Sequence, residues 1–332
     1  MKKILLATTV LSMSAGFAAA DVALSGSARM GVVSTDGESV MSSRVRVKFT
    51  GSGTTDGGLA FGGSFSAQDT AGANSGTSGS TYISGAFGKI SMGDVDSGDK
   101  AAVGQIDGGV GYTGLGSLNS IAYAADGGLN NDWTDSVQFD GVSAPGAKVL
   151  YTYSANGLSI SASSSQIGGD ASSYGVGASY ATGALTVGLG YGSADIAAFV
   201  YTQDSEDYSV EGSITDVSAS IAYSMGSTTV KAIYQDSQVD VTVTDENDVS
   251  HDISLLNAVS TGVSVKNTNG ALSLTGYAIT TKFESDFGPS GASVSANRYG
   301  VGASYDLGGG ATLAAGWVHN EVVAADGEAE LT

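Results

Sequence analysis

Along most of this chain, apolar and polar residues change places at every step. That rhythm excludes more folds than any other feature. Val22, Leu24, Gly26, Ala28, Met30 and Val32 alternate with Ala23, Ser25, Ser27, Arg29 and Gly31. Strand side chains point alternately to opposite faces, so one face is apolar or small and the other polar. Tyr174, Val176, Ala178 and Tyr180 alternate with Ser173, Gly175, Gly177 and Ser179, and the pattern returns over 185–192, 217–224 and 298–305. In the second segment Arg44, Arg46 and Lys48 fall in one row, which a helix would scatter. The spacing predicts strands over 22–33, 40–50, 59–68, 80–86, 89–95, 136–142, 147–154, 158–165, 173–181, 184–192, 215–224, 228–236, 258–266, 271–280, 297–306 and 311–320. With 136–142 they number sixteen and without it fifteen.

The connections sort into two kinds. Short turns such as Ala155-Asn156-Gly157 and Asn267 to Gly270 carry dipeptides that accept positive φ. Between them the acids gather, at 204–211, 236–252, 284–286 and 321–330, which reads as long acidic loops. Short turns at one end and long loops at the other are the layout of a transmembrane β-barrel, and tyrosines at the ends of the apolar sets fit its aromatic girdles. After residue 20 no apolar run reaches the roughly 18 residues of a spanning helix.

Composition narrows the function. Gly is 50 of 332 residues, about twice ordinary usage, while Pro is 2. With no Cys, disulfides are excluded, and with His251 and His319 as the only histidines no Cys/His metal set can form. Neither G-x-S-x-G nor H-E-x-x-H occurs, so an enzyme is not expected; His251 reads as solvated and His319 as interfacial. Lys and Arg number 13 against 33 acids, a net charge of −20, which lacks the basic footprint of a nucleic-acid binder. At the start, Lys2 and Lys3 precede the mostly apolar 4–17 and Ala18-Ala19-Ala20, the pattern of a signal peptide (1–20) removed near Ala20 on export.

One stretch stands apart. From Asp94 to Asp135 no periodicity persists, and Asp94, Asp96, Asp99, Asp107, Asp126, Asp132 and Asp135 face one base, Lys100. A loop this long is usually functional or disordered. Two readings stay open: a loop folded into a barrel mouth, narrowing it and lending negative charge, or a solvated acidic surface loop. Residues 109–114 match G-x-G-x-x-G, but with no helix expected after them the match reads as chance. Asp94, Asp96 and Asp99 look like part of a calcium loop without its bidentate Glu, so a Ca²⁺ near them is a further expectation.

The stretches "DVALSGSARMGV", "SSRVRVKFTGSGTTDGGLAFGGSF", "SGAFGKISMGD", "VGYTGLG", "LYTYSA", "LTVGLGYGS" and "YGVGASYDLGGGATLAAG", in this order from residue 21 to 316, resemble the general diffusion porins of the alphaproteobacterial outer membrane. The resemblance implies an all-β fold, a transmembrane antiparallel β-barrel of sixteen strands over 21–332. It implies a homotrimer embedded in outer-membrane lipid and lipopolysaccharide, whose third long loop folds inward. It implies passive passage of ions and small hydrophilic solutes, with no cofactor required. Arg29, Arg44 and Arg46 match positions where Arg lines the wall at the constriction, and Lys48 continues the row. Asp96, Asp99 and Asp107 are the matching loop acids. Two departures bear on this: 111–120 is neutral, and Ser66 stands where some relatives carry Lys. The family also ends on an aromatic-terminated strand, whereas this sequence stops at Glu330-Leu331-Thr332, so a missing final strand is expected, from a fragment or a truncated frame, the alternative being a naturally fifteen-stranded closed barrel. The rival readings are a non-conducting outer-membrane barrel serving as adhesin or anchor, and a soluble Gly-rich β-solenoid.

Overall fold

A computed structural model describes residues 21–35, 37–70, 73–109, 118–119, 122–126, 149–165, 172–203, 206–245, 247, 249–284 and 293–324. The signal peptide expected at 1–20, the strand expected at 136–142 and much of the long loop lie outside these residues. The chain divides into two compact units, 1–95 and 96–332, each described by itself.

The first unit is an antiparallel sheet in chain order: β1 (Asp21–Thr35), β2 (Glu38–Thr54), β3 (Ala60–Thr70), β4 (Ala73–Gly85) and β5 (Gly88–Gly93). Register sets Arg29 opposite Arg44, Ser27 opposite Arg46 and Ser25 opposite Lys48. The four cations therefore share one face. The other face carries exposed Val22, Leu24, Met30 and Val45, and a stacked Phe49–Phe65 pair with ring centroids 4.8 Å apart.

The second unit is likewise an antiparallel meander: β6 (Val149–Ala155), β7 (Leu158–Ser164), β8 (Ser173–Thr182), β9 (Leu185–Gln203), β10 (Glu206–Met225), β11 (Thr228–Thr244), β12 (Ser250–Asn269), β13 (Leu272–Glu284), β14 (Ser293–Gly308) and β15 (Ala311–Ala324). Every pairing is antiparallel between sequence neighbours. The β6–β7 turn has Asn156 at φ 52° and Gly157 at φ 83°, the positive pair that suits a two-residue hairpin.

This unit is inverted relative to a soluble protein. Tyr174, Val176, Leu189, Val217, Ile221, Val263 and Val301 are exposed, whereas Ser173, Asp216, Ser218, Gln235, Ser260 and Thr281 are buried. Further along β9 to β12 the pattern turns over. Ala194, Ile196, Ile214, Val239, Val241 and Leu256 are buried together on the face that carried polar groups, while Asp195, Glu211 and Asp240 point outward. On β11 the change falls between Tyr234, exposed beside apolar neighbours, and Asp240. An apolar outer band that gives way to a polar one is what a strand leaving a bilayer requires.

That reversal corrects one expectation. Residues 206–211, 236–244 and 250–252 were read as acidic loop, yet they are the ends of β10, β11 and β12. Charge marks the water-exposed part of these strands, not the end of pairing.

The outer band yields a direct test. Leu189 is 66 % exposed in the apolar band, while Thr186, three residues away, faces the polar side. Leu189→Arg is expected to cost about 2–4 kcal/mol in folding into vesicles, as arginine does near a bilayer midplane, and Thr186→Arg close to nothing. Denaturant titration of the two variants checks it; equal costs would contradict the assignment of faces.

Candidate functional site: a loop seated on the polar wall

The segment between β5 and β6 is not structureless. It contains a short helix, α1 (Gly98–Val103), and a 3₁₀ turn over Ala124–Asp126. Both escaped a periodicity search because six and three residues are too short to show a helical repeat. The helix lies on the polar face of β7 to β10, within the second unit.

Its seat is made of absent side chains. A Cβ added at Gly177 would lie 2.5 Å from the Ala102 Cβ, and one at Gly188 would lie 2.5 Å from the Ala102 carbonyl oxygen. At Gly190 it would meet Asp99 Cα at 2.8 Å, and at Gly175 it would meet Asp99 Oδ1 at 2.3 Å. These glycines occupy ordinary strand positions, so they serve close approach and not unusual backbone angles.

Hydroxyls fasten what the glycines admit. The Gly98 amide donates to Ser163 Oγ at 2.8 Å, and Ser161 Oγ donates to the Gly98 carbonyl at 2.6 Å. At the other end Lys231 Nζ donates to the Val103 carbonyl at 2.8 Å, where a cation suits the carbonyl end of a helix. Beyond it, Ile106 and Leu118 are fully buried against Ile233, Tyr277 and Ile279. Asn119 accepts from the Ile106 amide at 2.7 Å and donates to Gln235 Oε1 at 2.9 Å. Ser237 Oγ donates to the Ala122 carbonyl at 3.0 Å, and the Ala124 amide donates to Asp216 Oδ1 at 2.8 Å. The loop thus gives up backbone groups to water-free partners along β7, β10 and β11, as a buried segment must.

Within the loop, Lys100 Nζ bridges Asp126 at 2.6 Å and Asp96 at 2.8 Å, and Asp126 Oδ1 also accepts from the Ser97 amide at 3.1 Å. Burial pulls the Lys100 ammonium down, but Asp126 and Asp96 outweigh it and leave it above the usual lysine range. Burial raises the Asp126 carboxyl, and Lys100 offsets part of that. Burial likewise raises the Tyr123 phenol, whose hydroxyl donates to the Gly104 carbonyl.

The acids named from sequence part company here. Asp96 is 57 % exposed at its side chain and Asp107 is exposed, its Oδ1 accepting from the Gly109 amide at 2.7 Å. Asp99 has no exposure at all; it is turned into the wall, where burial raises its carboxyl. Among the described residues no group of three or more His, Cys, Asp or Glu side chains is placed to hold a metal, so Asp94, Asp96 and Asp99 are not brought together as a calcium set. In the first unit Arg29, Arg44 and Arg46 are half-buried and Lys48 is exposed, all on the polar face. Sequence reasoning passed over Asp216, Lys231, Gln235, Ser161, Ser163 and Ser237. A signal existed for two of them: Asp216 and Lys231 are charges set among small residues on the polar side of otherwise regular strands.

An antiparallel meander with one exposed apolar face, one polar face and a long loop laid on the polar face defines the class: a strand protein of the outer-membrane type. The profile of the family described as Gram-negative porin matches residues 7–324, and this chain belongs to that family. A porin of Rhodobacter capsulatus is 36 % identical over 323 residues, covering 94 % of this chain and 98 % of the relative. A refined porin structure superposes with a TM-score of 0.63 at 30 % identity, covering 91 % of this chain and 97 % of that one. An anion-selective porin from Comamonas acidovorans shares the fold, with a TM-score of 0.61 at 15 % identity over 91 % and 89 % of the two chains. The fold class is therefore the family's transmembrane antiparallel β-barrel, and the protein is a passive porin of the outer membrane.

Proposed function

We propose that the loop carrying α1 and the cation row of β1 and β2 both contribute to a constriction, so that permeant ions and small hydrophilic solutes are selected there by size and charge. The observation that supports the reading most is the loop's fixation: its backbone is bonded to Ser163, Asp216 and Ser237 while Asp96 and Asp107 stay exposed. A loop meant only for the outside would not need a bed of glycines. Charged rings at a narrow point select by charge and size. With 33 acids against 13 bases, the expected preference is weakly cationic. No step couples energy, so flux runs down its gradient. Export by an N-terminal signal, assembly as a homotrimer and contact with lipopolysaccharide complete the proposal, on the strength of family membership and residues 1–20.

Purified protein in a planar bilayer is expected to give ohmic channels with a small cation preference. Absence of conductance would reject this reading in favour of a plugged barrel acting as adhesin or anchor.

A further inference from the structure

The seam beneath the loop holds an electrostatic problem. Asp99 is fully buried and Asp216 is 1 % exposed. Both Asp99 oxygens and Asp216 Oδ2 lack a hydrogen-bond partner. The two carboxyls converge on the same glycine: a Cβ at Gly192 would lie 2.3 Å from Asp216 Oδ1 and 3.0 Å from Asp99 Oδ2. Two carboxylates in such contact, out of water, cannot both stay ionised.

We propose that Asp99 and Asp216 share a single proton, forming an acid–carboxylate pair, and that Asp216 is through this pair a positioning residue for the constriction loop. It rests on the reading of that loop as the constriction. Asp216 holds the loop at two places: its Oδ1 accepts from the Ala124 amide, and its carboxyl lies beside that of Asp99 of α1, both next to Gly192. One carboxylate on β10 thereby ties together two loop segments separated by about twenty residues of sequence. Without the proton the same contact would be repulsive.

The surrounding groups do not supply another counter-charge. On α1, Lys100 is turned to Asp126 and Asp96. On the 3₁₀ side stand Asp126 and Tyr123, a like charge and a neutral phenol. On β9 Tyr191 is a neutral phenol on the opposite, exposed face, and from β10 comes the hydroxyl of Ser218. Lys231 of β11 is engaged by the Val103 carbonyl. Burial dominates at Asp99 and raises its carboxyl; the Ser97 hydroxyl and the first amides of α1, near it but not bonded to it, act the other way.

The sign follows. A free aspartate titrates near pH 4, so below that both seated and unseated loops are protonated and the pair contributes no pH dependence. As pH rises above about 4, the unseated loop ionises first and the seat loses stability until the pair gives up its proton. Each unit by which seating raises the carboxyl's pKa multiplies the unseated fraction at alkaline pH by about ten.

The test uses the full chain. Infrared spectra of the wild type at pH 7 are expected to show the carbonyl stretch of a protonated, buried carboxylic acid, and both Asp216→Asn and Asp99→Asn are expected to lose it. In bilayers from pH 5 to 10, wild-type open-channel flicker is expected to rise with pH. Asp216→Asn, which keeps an acceptor for the Ala124 amide and donates to Asp99 without a proton, is expected to flatten that profile. Asp216→Ala is expected to flicker at every pH. If the band is absent in the wild type, the shared proton is overturned, whatever the channel does. If the band is present but the pH profiles of wild type and Asp216→Asn coincide, the positioning role falls. Should Asp216→Asn not fold, the Asp99→Asn profile decides in its place.

Discussion

Gly190→Val is expected to unseat the loop while leaving the barrel folded. The position is on a regular strand, where valine is at ease, so no backbone strain arises. The added carbons have nowhere to go: the first would lie 2.7 Å from Ser218 Oγ and 2.8 Å from both Asp99 Cα and Cβ. The Ser218 hydroxyl can rotate aside, but α1 is backbone and cannot. Overpacking of this kind costs about 1–3 kcal/mol. Set against a loop held by hydrogen bonds of roughly 1 kcal/mol each, that is a large fraction of the seating energy. The ratio of seated to unseated loop falls by about 5- to 150-fold for that range. Single-channel recordings are expected to show frequent excursions between conductance levels in place of one steady level. Gly276→Ala is the control, because a Cβ there meets nothing within 4 Å. Steady, wild-type openings from Gly190→Val would mean that the glycine bed does not hold the constriction.

How much of this was legible beforehand depends on the range of the interaction involved. Strands with one face in lipid show their period directly, and those expected at 158–165, 173–181 and 271–280 lie within a residue or a few of β7, β8 and β13. The upper half of β11 was visible too: Val239, Val241 and Val243 alternate with Asp240, Thr242 and Thr244. The acids among them suggest a loop, although a strand beyond the bilayer has every reason to turn charge outward. The glycines of β8 and β9 were seen as the polar face, but their purpose was not. That purpose lies in α1, which is about seventy to ninety residues away in sequence and has no repeat of its own. Asp216 was hidden for the same reason. A lone aspartate in a strand announces an anomaly, and only the partner it meets says which one. The row of Arg44, Arg46 and Lys48 was the reverse case, since neighbours two apart on one strand need no tertiary information to be aligned.

That row carries the second large effect. Arg44 stands opposite Arg29 in the β1–β2 ladder, and Arg46 follows two residues on, so like charges are packed where sheet pairing would ordinarily avoid them. Replacing Arg44 and Arg46 together by glutamine keeps side-chain length and hydrogen-bonding capacity while removing two charges. A unit charge about 6 Å from a permeating ion in a watery bore is worth roughly 0.7 kcal/mol, or about a threefold change in local ion concentration. Two such charges give about tenfold, favouring cations in the variant. The reversal potential under a salt gradient near 0.1 M is therefore expected to move clearly toward that of a cation-selective channel. Near 1 M, where the screening length shrinks to about 3 Å, most of the shift is expected to vanish. A reversal potential that does not move at low salt would place these arginines outside the ion path, holding the wall together without shaping what crosses it.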